Sequence, residues 1–167
     1  MVFNHVAERV TPLYMDNFRL VGTQGAITHI SGTTVFKDVS ASQFTETITI
    51  SGGVLVLEYG GGVFGEPTVL GGPVTVQSGG TLAGAGNIVG QVTVMGQGVL
   101  ENEQNLSSQN PYSLRIASPL AMDTDSILRV YLDPRAAGAN TPLFASASLS
   151  LPSSGTVEVD VNTVGGQ

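Results

Sequence analysis

A chain of 167 residues with 41% hydrophobic content is long enough to bury one core and too short for two typical domains. Only 11% of its residues are charged, well under the roughly one quarter common in soluble domains, so Thr, Ser, Asn, Gln and Gly must cover the surface, as suits a β protein outside the cell. Thirteen acidic residues against six basic ones, a net charge of −7 and no cysteine exclude a basic patch for nucleic acid or an anionic membrane surface, and exclude disulfides and thiolate metal sites.

Residues 1–25 read as an N-terminal cap or leader, and 26–167 as a β-solenoid domain. The first ten residues lack a positive segment followed by a long apolar run, so they are not a signal peptide; an exported form would be processed or cut from a larger precursor. No run approaches the length of a membrane-spanning helix. Val2, Phe3, Val6, Ala7 and Val10 recur at three-to-four spacing before Thr11-Pro12, which predicts a short amphipathic helix over 2–10 that caps an open end. The alternative is a leader whose periodicity is fortuitous.

From Phe18 onward the period is two, and strands are predicted at 18–21, 26–30, 33–39, 44–50, 54–59, 74–76, 88–94 and 99–100. Glycine clusters at 52–53, 60–62, 71–72 and 79–80 supply the backbone freedom of tight corners. A polar stretch at 101–111 reads as a loop. Strands resume at 113–116 and 127–132, a second loop follows at 133–140, and strands at 143–151 and 156–161 close the pattern. Residues 164–167 end without a cap, so either the natural polypeptide continues or another molecule covers this end.

One unit recurs: apolar-x-apolar, three small or polar residues, Gly, a β-branched residue, apolar. It reads Val74-Thr75-Val76-Gln77-Ser78-Gly79-Gly80-Thr81-Leu82, then Val92-Thr93-Val94-Met95-Gly96-Gln97-Gly98-Val99-Leu100, then Leu149-Ser150-Leu151-Pro152-Ser153-Ser154-Gly155-Thr156-Val157, with a shorter copy from Ile48 to Leu55. Repetition of a strand-turn-strand unit marks a solenoid. The offsets predict coils of 18–26 residues in an all-β, right-handed parallel β-helix (a single-stranded β-solenoid). Six to eight coils at about 4.8 Å spacing would make a rod on the order of 30–40 Å long. A β-sandwich is the alternative fold, since short strands with glycine turns also suit it.

The run Gly79-Gly80-Thr81-Leu82-Ala83-Gly84-Ala85-Gly86-Asn87-Ile88-Val89-Gly90-Gln91-Val92-Thr93-Val94 resembles the autotransporter-associated β-strand repeat of bacterial autotransporter passenger domains, the pertactin-like β-helices. Thr47 to Leu57 looks like the preceding repeat. Ser126 to Asp133 and Gly155 to Val159 are similar to strands of the family's C-terminal passenger region. The resemblance spans roughly 44–161 and is close only over 79–94. The family usually continues Gly-Gly-Thr-Leu into Ala-Pro-Gly at its later repeats, whereas here Gly98-Val99-Leu100 runs into Glu101-Asn102-Glu103. Residues 1–40 match nothing in it. The resemblance implies a passenger-type stalk at the cell surface, attached to the outer membrane through a C-terminal barrel that this sequence does not contain.

Residues with chemistry are scattered. His29 lies in the alternating run Ile27-Thr28-His29-Ile30, and the only other histidine is His5. Neither accompanies a Gly-x-Ser-x-Gly elbow, so His29 reads as a solvent-facing strand residue rather than a catalytic base. Asp123-x-Asp125 and Glu101-x-Glu103 each place two carboxylates on one strand face, as a hard cation would require, but both border turns and read as local solvation. Asp133 and Arg135 are the nearest approach to a polysaccharide-cleaving cluster, with Tyr59, Phe64, Tyr112 and Tyr131 as the few rings for sugar stacking. Asn105-Leu106-Ser107 matches a glycosylation sequon. No catalytic, cofactor or metal residue is assigned.

The expected function is therefore a non-enzymatic extracellular module, a stalk or adhesin. Its partners would be a host or neighbouring-cell receptor, a glycan, or other copies of itself through the solenoid ends. A self-assembling filament or surface-layer protein is the second reading. A carbohydrate-active β-helix is the third.

Overall fold

Among the described residues, period-two runs become strands, and glycines such as Gly32, Gly53 and Gly79 become corners. The computed structural model describes residues 2–5, 13–16, 26–37, 44–58, 67–102, 113–132 and 144–163. They form sixteen strands and no helix: β1 (Val2–His5), β2 (Leu13–Asp16), β3 (Ala26–His29), β4 (Thr33–Lys37), β5 (Thr47–Ile50), β6 (Gly53–Glu58), β7 (Val69–Leu70), β8 (Val74–Val76), β9 (Gly80–Gly84), β10 (Gly86–Ile88), β11 (Val92–Val94), β12 (Val99–Glu101), β13 (Leu114–Met122), β14 (Ile127–Leu132), β15 (Phe144–Ser150) and β16 (Glu158–Thr163).

Every pairing among them is parallel. A parallel partner cannot be reached through a hairpin, so the chain must cross away and return. It does so by visiting two sheets in turn. One sheet runs β1-β3-β5-β8-β11-β13-β10-β7, with β15 also on β13; the other runs β2-β4-β6-β9-β12-β14-β16. The class is all-β and solenoid-like. Seven strands in the second sheet give a stack roughly 30 Å high. A sandwich built from antiparallel hairpins does not describe this pairing.

Columns of equivalent side chains make the core. Ile27, Ile48, Val74, Val92 and Leu120 are successive register partners, and all are buried. Leu55, Leu82, Leu100 and Leu128 form the matching column in the second sheet. A third column, Leu70, Ile88 and Ile116, runs through β7, β10 and the first half of β13. Phe36 and Phe44 are both buried in the core, with ring centroids 5.1 Å apart.

One corner shows why the spacing repeats. Three residues past His29, Ile50, Val76, Val94 and Met122, the chain turns at Gly32, Gly53, Gly79, Gln97 and Asp125, with φ of 77°, 71°, 82°, 59° and 63°. Later copies are closed by Gly80 N donating to Gln77 O, Gly98 N to Met95 O and Ser126 N to Asp123 O. Positive φ at the third position of such a turn suits glycine; Gln97 and Asp125 adopt it at a cost of about 1 kcal/mol each. A second corner selects glycine through space. A Cβ on Gly90 would lie 2.1 Å from Gly72 O, and one on Gly72 would lie 2.0 Å from Glu46 O.

Several expectations change. Residues 2–5 of the expected helix are strand β1, whose Cα partners are Ala26 to His29; residues 6–10 lie outside the described residues. A nine-residue helix is marginal alone, and Val and Phe pair readily in a ladder, so tertiary pairing overrides the local periodicity. The single strand expected at 88–94 is two strands, β10 and β11, parted by the Gly90 corner. Coil lengths reach beyond the expected range: Val74 meets Val92 after 18 residues, but Leu128 meets Val159 after 31. The third copy of the repeat is offset in its second half. Leu149 pairs with Leu120 in a strand that runs on to Met122, and the partner of Leu128 is Val159, not Val157; the Pro152 to Gly155 corner is two residues longer. The strand expected at 18–21 and the loop at 133–140 lie outside the described residues.

Candidate functional site

Strand β12 pairs with β14 for only three residues, and the side chains that follow take over. The register places Glu101 beside Arg129, and Arg129 beside Asp160. Arg129 Nη1 lies 3.2 Å from Glu101 Oε2, and its Nε donates to Asp160 Oδ2 at 2.9 Å. Glu101 is buried; Arg129 and Asp160 are partly exposed. One guanidinium thus links three consecutive layers, using the planar fork that lysine lacks. The Asp160 hydrogen bond is the main cause that raises the Arg129 pKa, against the opposing effect of burial, and Glu101 adds to the rise. The Asp160 carboxyl is lowered, first by Arg129 and then by Asn162.

Asn102 completes the join. It is 2% exposed. Its Nδ2 donates to Tyr131 O at 2.9 Å, and Tyr131 N donates to its Oδ1 at 2.6 Å. A side-chain amide is a peptide group in miniature, so Asn102 continues the ladder where the β12 backbone leaves it. Near the other end of the second sheet, Asp16, Lys37 and Glu58 share one register column, and Lys37 Nζ stands 3.8 Å from Glu58 Oε2.

His29 points inward, contrary to the solvent-facing expectation. It occupies the position of Ile50, Val76 and Val94 in the layers above and is 3% exposed. Its Nε2 donates to Gly32 O at 3.3 Å, and Nδ1 accepts from Thr34 Oγ1 at 3.4 Å. A neutral ring protonated on Nε2 satisfies both. Ser51 Oγ donates to the His29 main-chain carbonyl, and the ring's bonds to Gly32 and Thr34 close the corner. His5 is the register partner of His29 in β1.

The carboxylate pairs separate. Asp123 and Asp125 form a corner: Asp123 O accepts from Ser126 Oγ at 2.6 Å, and Asp125 N donates to Thr156 O, as the turn reading expects. Glu101 is neither in a loop nor solvated, because its strand carries it under Arg129; Glu103 lies outside the described residues. So do Asp133, Arg135, Tyr59, Phe64, Tyr112 and the sequon at 105–107. Tyr131 lies in β14, held by Asn102 through its backbone. Among the described residues, no three His, Asp or Glu side chains are placed to hold one metal ion.

The last layer differs from the inner layers. Leu149, Leu151, Val159 and Val161 are 56%, 59%, 59% and 58% exposed, although Leu149 and Val159 continue columns that are buried one or two layers earlier. Among the described residues, this exposed apolar layer lies beside the ionic strap of Arg129 and Asp160. The sequence hides both, since Glu101, Arg129 and Asp160 are 28 and 31 residues apart and obey no common repeat. The surviving signal is Arg129 itself, an arginine within the apolar run Ile127-Leu128-Arg129-Val130.

Comparison of the chain with protein-family models finds no match, and comparisons with curated proteins and with solved structures find none either.

Proposed function

We propose that this chain is a right-handed parallel β-helix of the passenger type, displayed outside the cell as a non-enzymatic stalk or adhesin. The observation that carries the proposal is the constancy of the columns under changing coil length. Leu82, Leu100, Leu128 and Val159 stay in register across intervals of 18, 28 and 31 residues. All variation is therefore spent in the corners. A scaffold of this kind keeps its core layers in register whatever the length of chain between them, as a stalk that presents contacts to a receptor or glycan must do. The Gly79 to Val94 run that carries the family resemblance comprises most of one 18-residue coil, and its Gly84, at φ 105°, makes the turn between β9 and β10.

Labelling of intact source cells with an antibody against the chain tests the reading. The expected result is labelling without permeabilisation, removed by brief external proteolysis. Signal that appears only after permeabilisation would sink it.

A further inference from the structure

The outer edges of β15 and β16 carry no strand among the described residues. The side chains at those edges occupy register positions that inner layers bury. Leu149 follows Val92 and Leu120, and Val159 follows Leu100 and Leu128. Such an end accepts a parallel layer that offers two strands of the same sense, one for each sheet.

The other end of the described stack offers such a layer. β1 and β2 are the opposite terminal strands of the same two sheets, and since all pairing is parallel they run in the same sense as β15 and β16. The spacing between the two columns also matches. It is ten residues from Leu149 to Val159 and ten from Phe3 to Leu13, whereas inner layers use seven (Ile48 to Leu55) or eight (Val92 to Leu100). Continuing each column by one layer sets Phe3 after Leu149 and Leu13 after Val159, apolar after apolar. It sets Asn4 after Ser150 in the column of Thr28, Thr49, Thr75 and Thr93, polar after polar.

We propose that the last layer of one molecule stacks on the first layer of a second copy, adding a strand to both sheets at once. The proposal rests on the β-helix reading above and names a partner for its open end. The two faces differ, so the contact is heterologous and repeats along the axis, which yields open filaments rather than a closed dimer. With a net charge of −7 per copy, like-charge repulsion opposes the contact, and salt strengthens it.

The absence of cysteine permits a clean test on the full chain. Light scattering over a concentration series should show mass rising past that of a dimer, more steeply at higher salt. The pair Asn4→Cys and Ser150→Cys in one chain, treated with a short bis-thiol reagent, should give a ladder of cross-linked multiples; Asp16→Cys with Ser150→Cys, in different sheets, should not. Leu149→Lys with Val159→Lys should restore the monomer, with its circular dichroism and melting at low concentration unchanged. A monomeric mass at every concentration, growth that survives the two lysines, or equal cross-linking by both cysteine pairs would overturn the proposal. Hydrogen exchange on the double-lysine monomer separates this failure from failure of the fold reading: slow exchange in β8, β9, β11 and β12 leaves the layered stack standing, and fast exchange there removes its foundation.

Discussion

Truncating Leu100 to alanine tests whether the leucine column is the interior of a layered stack. Leu100 is fully buried between its register partners Leu82 and Leu128. The change removes three carbons, worth about 2.4 kcal/mol at ~0.8 kcal/mol per buried methylene. It also opens a cavity, because backbone ladders on both sides keep the layers from closing on it, and the total expected is about 3–4 kcal/mol. For a chain of this length, each kcal/mol lowers the melting temperature by about 2–4 °C, so the drop should be roughly 6–16 °C. Val159→Ala is the control. It lies in the same column but is 59% exposed, so it should cost no more than about 0.5 kcal/mol. Urea unfolding at low protein concentration, followed by circular dichroism with unchanged slope, measures both. Equal costs at the two positions, or a cost at Leu100 below about 1 kcal/mol, would refute the assignment of interior and open end.

Other substitutions probe the joins between layers. Gly90→Ala forces a Cβ to within 2.1 Å of Gly72 O; since backbone cannot rotate away as a side chain would, a loss of about 3 kcal/mol or failure to fold is expected, read by thermal melting beside the milder change Gly96→Ala, whose Cβ would meet Thr124 O at 3.0 Å. Arg129→Met leaves the buried Glu101 without this cation and should cost about 3 kcal/mol, whereas the double change Arg129→Met with Glu101→Gln should recover much of the loss in a double-mutant cycle. Acid should loosen the last layer. Asp160 is held below the usual carboxylate range, so its contribution is present at neutral pH and fades as pH falls through that range; the raised Arg129 pKa keeps its contribution until strongly alkaline pH and is silent in acid. Melting curves between about pH 5 and about pH 2 should therefore fall more steeply for the native chain than for Asp160→Asn.

How much could be read without coordinates depends on the distance over which each feature is decided. The 18-residue coil from Val74 to Val92 was legible because two copies sit side by side with equal corners. The strand positions of Ile48, Leu55, Ile127 and Leu128 were legible for the same reason, each lying in a period-two run beside a turn. His29 shows the limit: its run alternates correctly, but only the column above it, Ile50 over Val76 over Val94, reveals that the His29 parity faces the core. At the last copy, the two extra residues of the Pro152 to Gly155 corner moved the register partner of Leu128 from Val157 to Val159, a shift that no local pattern announces. The ionic strap was the least accessible, because Glu101 closes one strand, Arg129 lies in the next layer, and Asp160 lies one layer beyond.

Amino-acid order by itself determined the alternation of Val, Ile and Leu with Thr and Ser, the glycine corners, and hence a stack of short strands. These follow from forces acting within a few residues: side-chain period two, and positive φ where glycine permits it. The tertiary structure decided what stands above what. It made Val2–His5 a strand rather than a helix, buried Glu101 under Arg129, gave Asn102 the place of a backbone, and left Leu149 and Val159 in water. Parallel pairing joins residues 18 to 31 positions apart, so its register is set by the collective burial of whole columns, and no window of local sequence contains that sum.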